Sequence, residues 1–449
     1  MLKKLLCALL LLSYTIHGQN YVKGTISTTN EIGSRIVLYQ LKGVKQLYIN
    51  NDTISNGAFK IAIPENATKG MYRLFYDMKN QGFVDFIYNK ENVELQFDTS
   101  DSYGTLAFSN SEENIAYHKY LIETDEIKLK LDSLQVAYFK IKDEKQKEII
   151  SIEYASLIEI YDQIQAQHEL NTVQKLANHF IKSIRKYYAP EIIPTPQEYL
   201  NSEKLHYFDF IDFNDSALIN SSLISQKVMD YIFYLNVSDD IEVQNKLYKN
   251  AINEVMQKIG ENEYIKSEIL TLLLATFAQN ENIGLIDYII DDLYSKLPDE
   301  YQDKATLNDI QSNVRLAIGK KVPEITWDVA GKTKKLSEIN SATNYIIVFW
   351  STSCPHCLLE IPKLYEYTKH NAAIHVIAIA LENDEKGFKE HTSNLKKWTH
   401  IVGLKKWENP IAEEYQITAT PTYFILDAEK RILSKPEFFI DVKAFFENE

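Results

Sequence analysis

The stretch FWSTSCPHCLLEIP, residues 349–362, sets Cys354 and Cys357 either side of Pro355 and His356. An apolar run precedes the pair and a segment that reads as helix follows it. Two thiols at this spacing can ligate a metal, hold haem covalently, or exchange electrons as dithiol and disulfide. A structural zinc site needs four ligands. The chain has no second cysteine pair, and His356, lying between the cysteines, cannot comfortably join both on one ion. Covalent haem attachment wants a histidine directly after the second cysteine, where this chain has Leu358.

The redox dithiol fits the local physics best. Cys354 falls at the start of a helix after a strand, where unpaired N–H groups and the helix dipole favour a thiolate. Pro355 suits the first helical turn, which needs no N–H. A protonated His356 would add positive charge close to the sulfur. Thiolate is the nucleophile in disulfide exchange, so Cys354 reads as the attacking group and Cys357 as the resolving one.

The wider sequence supports this. Lys3 and Lys4 precede an apolar run, Leu5–Leu12, too short to span a bilayer at ~20 residues and matching an export leader ending at Gly18. Its removal takes Cys7 away and leaves two of the three cysteines. Exported proteins meet oxidising surroundings. A loop closed between Cys354 and Cys357 removes little unfolded-state entropy, so a structural staple explains the pair poorly. No later stretch is apolar enough to span a bilayer, which predicts a soluble, periplasmic protein. The formal charge of −14 becomes −16 once Lys3 and Lys4 are lost. With no basic stripe, an acidic chain is a poor partner for nucleic acid. The ten histidines are scattered, with no HxxxH or HExxH pairing, and no metal site is expected.

The elements that must position the cysteines fall into three textures along the 449 residues. Residues 19–110 hold short alternating runs such as YVKGTIS, GAFKIAIP, GMYRLFY and NVELQFD, separated by turn residues, which predicts an antiparallel β-sandwich. Residues 111–318 repeat apolar positions at three and four, a central α-helical region, broken near Pro190, Pro194 and Pro196. Residues 319–449 alternate strands with helices. Strands are expected at 344–350, 374–381, 399–404, 421–427 and 430–434. Helices are expected after the cysteines, at 384–396, at 409–415 and at the end.

Residues 319–449 resemble a thioredoxin-fold domain of the TlpA/ResA-like branch. The resemblance rests on GKKVPEITWDVAGKTKKLSEINSATNYIIVFWSTSCPHCLLEIPKL and on TATPTYFILDAEKRIL, 418–433, in the right order. It implies a C-terminal α/β thioredoxin fold in a multidomain chain, with Cys354 and Cys357 as the redox-active disulfide. It also implies that Thr420 and a cis Pro421 face that disulfide, with Thr420 backbone groups open to a client peptide. Glu360, three residues after Cys357, would sit near the thiols and hold or relay the resolving thiol's proton, its pKa raised by burial. The commoner thioredoxins carry a buried aspartate in the preceding strand, where this chain has Val348. Pro362 is expected to kink the helix. Two departures stand out. Ser353 replaces the usual tryptophan before the first cysteine. The Pro-His pair resembles oxidising DsbA-like enzymes, whereas Thr420 before the proline resembles reductive members, so the direction of electron transfer stays open. The region before 319 resembles, more weakly, accessory regions of exported Bacteroidetes-type proteins, implying partner docking or placement.

The sequence thus predicts an exported thiol:disulfide oxidoreductase that exchanges disulfides with client proteins, without a cofactor, and with a membrane-bound electron donor or acceptor. Two alternatives stand beside it. One is a thiol peroxidase, for which Ser351 occupies the position of a threonine. The other is a binding or assembly protein with an idle thioredoxin domain.

Overall fold

The computed structural model describes residues 19–27 and 34–447. The leader expected over residues 1–18, Cys7 included, lies outside them. The chain forms two compact units, one ending at Ile269 and the other beginning at Leu270.

The first unit opens with eight strands: β1 (Tyr21–Ser27), β2 (Arg35–Lys42), β3 (Lys45–Thr53), β4 (Ala58–Ala62), β5 (Gly70–Asp77), β6 (Gly82–Tyr88), β7 (Val93–Asp98) and β8 (Ala107–Phe108). They form two four-stranded sheets, in orders β4-β1-β7-β8 and β3-β2-β5-β6. Alternation sends Val22, Ile61 and Leu95 from one sheet, and Ile36, Leu74 and Phe86 from the other, into a shared core. The expected sandwich is present, with one departure from purely antiparallel pairing. β1 lies parallel to β7, because the chain builds the whole second sheet between them and returns without a hairpin. β1 is held closely between β4 and β7: a Cβ on Gly24 would lie 2.3 Å from the Leu95 carbonyl oxygen.

Helices begin at α1 (Glu112–Lys140), capped by Ser111, and α2 (Glu144–Asn171), capped by Asp143. Leu131 of α1 packs with Tyr154, Ile158 and Tyr161 of α2. Asn114 ties α1 to β6 by accepting the Ile87 N–H at 2.7 Å and donating to the Ile87 carbonyl at 2.8 Å. α3 (Ala177–Ser183) ends before the proline cluster, and α4 (Pro196–His206) starts with Pro196 in its first turn. α5 (Ser216–Ile219), α6 (Leu223–Phe233), α7 (Ile241–Ile259) and α8 (Glu263–Gln279) follow. Among the described residues, no helix is long and apolar enough to cross a membrane.

The second unit carries α9 (Ile283–Tyr288) and α10 (Lys304–Val314), so helices run to Val314 as the periodicity predicts. A hairpin of β9 (Thr326–Val329) and β10 (Lys332–Lys335) comes next, turning through Ala330 and Gly331 at φ 54° and 77°. Its short, exposed strands carry little apolar alternation and were not expected. The remaining elements are β11 (Asn344–Trp350), α11 (Pro355–Thr368), β12 (Ile374–Glu382), α12 (Phe388–Thr392), β13 (Thr399–Leu404), α13 (Pro410–Glu414), β14 (Thr422–Leu426), β15 (Ile432–Ser434) and α14 (Phe439–Glu447). The helix expected over 384–396 shrinks to five residues. Gly387 and Lys397, at φ 78° and 80°, interrupt the backbone on either side of it.

The five strands form one sheet in the order β13-β12-β11-β14-β15. β11, β12 and β13 run parallel, β14 runs antiparallel to β11, and β15 antiparallel to β14. Central strands buried on both faces need apolar residues at every position, as NYIIVFW and IHVIAIAL supply. Ile346, Val348 and Trp350 face Cys357, Ile361, Leu364 and Val442 of α11 and α14. Ile347 and Phe349 face Ala412 and Tyr415 on the other side. Val348 is therefore an ordinary core residue.

Candidate active site

β11 delivers the chain to the sheet's C-terminal edge, and residues 351–353 turn it into α11. Cys354 is the N-cap, in extended backbone at φ −94° and ψ 112°. Its N–H donates to the Ser351 carbonyl at 3.2 Å, and its own carbonyl accepts the Leu358 N–H at 3.1 Å. The Cys354 sulfur takes the place of the usual capping oxygen, accepting the Cys357 N–H at 3.2 Å. Pro355 occupies the first turn, exposed, where its missing N–H costs nothing. Helix α11 continues through Pro362, although that residue leaves the Leu358 carbonyl without its helical donor.

Both cysteines are free thiols, the reduced state of a dithiol couple. Cys354 is half-buried and Cys357 fully buried. Their ionisation is pushed apart. Burial works against the Cys354 thiolate, but hydrogen bonds from the Cys357 thiol and N–H, from Thr420 and from the His356 N–H outweigh it. The Cys354 pKa therefore falls below that of an ordinary thiol. Burial, together with donation to Cys354, drives the Cys357 pKa up to about 12. The two thiols are thus unequal, Cys354 ionising more readily than an ordinary thiol and Cys357 less.

The second motif meets the first. The Thr420–Pro421 peptide is cis. The Cys354 thiol donates to the Thr420 carbonyl oxygen at 3.5 Å. Thr420 and Pro421 are both part-exposed beside the reactive sulfur.

Glu360 lies behind the thiols, only 8% exposed. Its Oε2 accepts the Phe439 N–H at 2.6 Å and the Tyr423 hydroxyl at 3.4 Å, and its Oε1 lies 3.8 Å from Lys363 Nζ. It therefore joins α11 to β14 and to the first turn of α14. Tyr423 is the link back to the sulfurs: it is buried in the cluster that holds Cys357, and Glu360 and both cysteines raise its hydroxyl pKa further after burial has done so. Sequence reasoning missed Tyr423, although the period of two along β14 places Pro421, Tyr423 and Ile425 on one face.

His356 serves the site through its backbone. Its N–H acts on the Cys354 sulfur, while its exposed ring stands edge-on to Phe438 at 6.2 Å. The turn itself is held by Glu382 at the end of β12, another residue the sequence reading missed. Its Oε1 accepts the Thr352 N–H at 2.5 Å. The register of β11 on β12 sets Trp350 opposite Ala380 and so brings position 382 level with 352. Among the described residues, no group of three or more His, Cys, Asp or Glu side chains is arranged to hold a metal ion.

Residues 343–432 match a family model described as thioredoxin-like. No curated protein matches the chain. Among solved structures, the chain is similar to a domain of a possible thiol-disulfide isomerase from Cytophaga hutchinsonii, at 28% identity over 30% of this chain and 92% of that one, with a TM-score of 0.26. It is similar to the thioredoxin domain of a thiol-disulfide oxidoreductase from Bacteroides vulgatus, at 23% identity over 29% and 98%, with a TM-score of 0.25. A thioredoxin-like protein from Bacteroides caccae aligns at 18% identity over 60% of this chain and 99% of its own, with a TM-score of 0.33. From Thr343 to Ile432 the chain is thioredoxin-like, and the Cys-Pro-His-Cys turn lies within that stretch.

Proposed function

We propose that this protein is an exported, TlpA/ResA-like thiol:disulfide oxidoreductase that exchanges disulfides with client proteins. The observation that carries the reading is the split between the two thiols: a half-buried Cys354 that ionises readily, and a buried Cys357 that does not. In the reductive direction, the Cys354 thiolate attacks one sulfur of a client disulfide. That S–S bond breaks, a Cys354–client mixed disulfide forms, and the released client thiolate takes up a proton. Cys357 then loses its proton and attacks the Cys354 sulfur. The second client thiol leaves, and Cys354–Cys357 closes as a disulfide. The client gains two electrons and the protein loses them. A dithiol donor at the membrane would return them; an oxidising cycle runs the same steps backwards toward an acceptor.

Thr420 supports the reading, because its carbonyl stands at the sulfur where a client backbone N–H would approach. Glu360 and Tyr423 would take and return the Cys357 proton from behind the pair. The chemistry needs no metal or cofactor, since the sulfurs carry the electrons. The leader-like N-terminus supports periplasmic placement. The accessory unit would dock or place clients, and truncating residues 19–318 without any change on every protein client would count against that.

The reading is tested by replacing the resolving thiol. Cys357→Ser should accumulate mixed disulfides between Cys354 and clients, captured on Cys354 by mass spectrometry from periplasmic extract. A Cys354 that captures no client, together with a Cys354→Ser strain that keeps the wild-type phenotype, would favour the binding or assembly role. Sulfenic acid at Cys354, with peroxide consumed at a catalytic rate, would favour the peroxidase.

A further inference from the structure

A carboxylate from the neighbouring strand holds the turn before Cys354. Glu382 is the last residue of β12 and is 5% exposed. Its Oε1 accepts the Thr352 N–H at 2.5 Å, and its Oε2 accepts the Ser351 hydroxyl at 3.4 Å. Ser351 Oγ accepts the Ser353 N–H at 3.2 Å and lies 2.9 Å from Ser353 Oγ. Lys406 Nζ closes the far end by donating to Ser353 Oγ at 3.3 Å. Residues 351, 352 and 353 are therefore ordered, directly or through one hydroxyl, by a single buried carboxylate. Burying a carboxylate is costly unless it is well bonded. Its contacts here are a backbone N–H and a hydroxyl of the turn.

The same turn reaches both thiols. The Ser351 carbonyl accepts the Cys354 N–H at 3.2 Å, and the Ser351 backbone works against the rise in the Cys357 pKa. We propose that Glu382 is a positioning residue for the dithiol, fixing the 351–353 turn and, through it, the hydrogen bonding of the Cys354 and Cys357 sulfurs. This rests on the oxidoreductase reading above. Glu382 acts through Ser351 and Thr352. As an anchor it holds hydrogen-bond donors on the sulfurs, which favours thiolate. As a bare negative charge it would disfavour thiolate. The two roles predict opposite effects of its removal.

The test uses the full chain with Glu382→Ala, Glu382→Gln and Ser351→Ala. Two quantities are read: the pH profile of Cys354 alkylation by iodoacetamide, and the dithiol–disulfide equilibrium against glutathione. An anchor predicts that Glu382→Ala raises the pH midpoint of Cys354 alkylation. It also predicts an equilibrium shifted about tenfold toward the disulfide, equivalent to ~30 mV for a two-electron couple. Glu382→Gln keeps an oxygen that accepts the Thr352 N–H and should return both readings to within about threefold of wild type, a fraction of one hydrogen bond's worth. Ser351→Ala removes only the hydroxyl link; it should shift both readings in the Ala direction by a smaller amount, and it decides the matter should Glu382→Ala not fold. A folded Glu382→Ala or Ser351→Ala protein with wild-type profile and equilibrium overturns the proposal. So do Ala and Gln variants that both lower the alkylation midpoint, because charge alone would then be acting. A wild-type protein that forms no Cys354–Cys357 disulfide overturns the oxidoreductase reading instead, and the alkylation profiles still decide the role of Glu382.

Discussion

The two units bury polar side chains for opposite ends. In the first, Asn114 is 1% exposed and bonds both the N–H and the carbonyl of Ile87, joining α1 to β6. An amide can donate and accept, so it satisfies both backbone groups without charge. In the second, Glu360 and Glu382 join α11, α14 and the 351–353 turn to the sheet. A carboxylate only accepts, and it titrates. The first unit also buries a carboxylate, Glu113, which accepts the Ala177 N–H at 2.7 Å, but its described residues hold no thiol, whereas the second unit's carboxylates stand around two thiols of unequal acidity. Burial of a polar group marks chemistry only where charge and a reactive atom come together.

The sharpest way to break this contrast is to remove one key residue from each unit. Cys354→Ser should abolish disulfide exchange, by roughly 10⁴-fold or more as for other lost nucleophiles, and leave the fold intact. Asn114→Ala should do the reverse. It strands the buried N–H and carbonyl of Ile87, costing about 2–6 kcal/mol at ~1–3 kcal/mol per unpaired group, as read by denaturant unfolding. Exchange catalysed by the folded fraction should not change. An Asn114→Ala protein of normal stability and impaired exchange would erase the distinction.

A smaller effect follows from Cys357. Its folded pKa of about 12 lies above the unfolded value, so folding favours the protonated thiol. That contribution is fully present below the unfolded pKa of ~8.5 and is lost as pH rises from there toward the folded value. The reduced protein should therefore lose stability above about pH 8.5, at up to ~1.4 kcal/mol per pH unit. Cys357→Ala should flatten that part of the pH–stability curve.

The smallest expected effect belongs to His356. Alanine keeps the backbone N–H that acts on Cys354 and removes only an exposed ring resting on Phe438. Exchange rates should stay within roughly twofold, as for surface substitutions worth about 0.5 kcal/mol. A tenfold loss would show that the imidazole itself tunes the sulfur.

Much of this was legible in the sequence because it follows short-range rules. Alternation located the strands of the sandwich, unbroken apolar runs located the central strands of the C-terminal sheet, and the prolines at 190–196 marked the break between α3 and α4. The Cys-Pro-His-Cys spacing marked the candidate site. What escaped depends on register and tertiary approach. Glu382 matters because β12 runs parallel to β11 with Trp350 opposite Ala380. Tyr423 matters because β14 runs antiparallel with Val348 opposite it, which sets it over α11. The parallel pairing of β1 with β7, 71 residues apart at Val22 and Val93, has no local signal. The role expected of His356 also turned on direction: a sequence places a ring near a sulfur but does not aim it.

The most direct test of the central claim is redox titration of the full chain in glutathione buffers, followed by the fluorescence of Trp350. That indole is 1% exposed and packs in the cluster containing Cys357. The account predicts one two-electron transition, between roughly −270 mV (thioredoxin-like) and −120 mV (DsbA-like), with mass spectrometry showing a Cys354–Cys357 disulfide on the oxidised side. A protein that shows no transition, or that carries glutathione on Cys354 without closing onto Cys357, would contradict it.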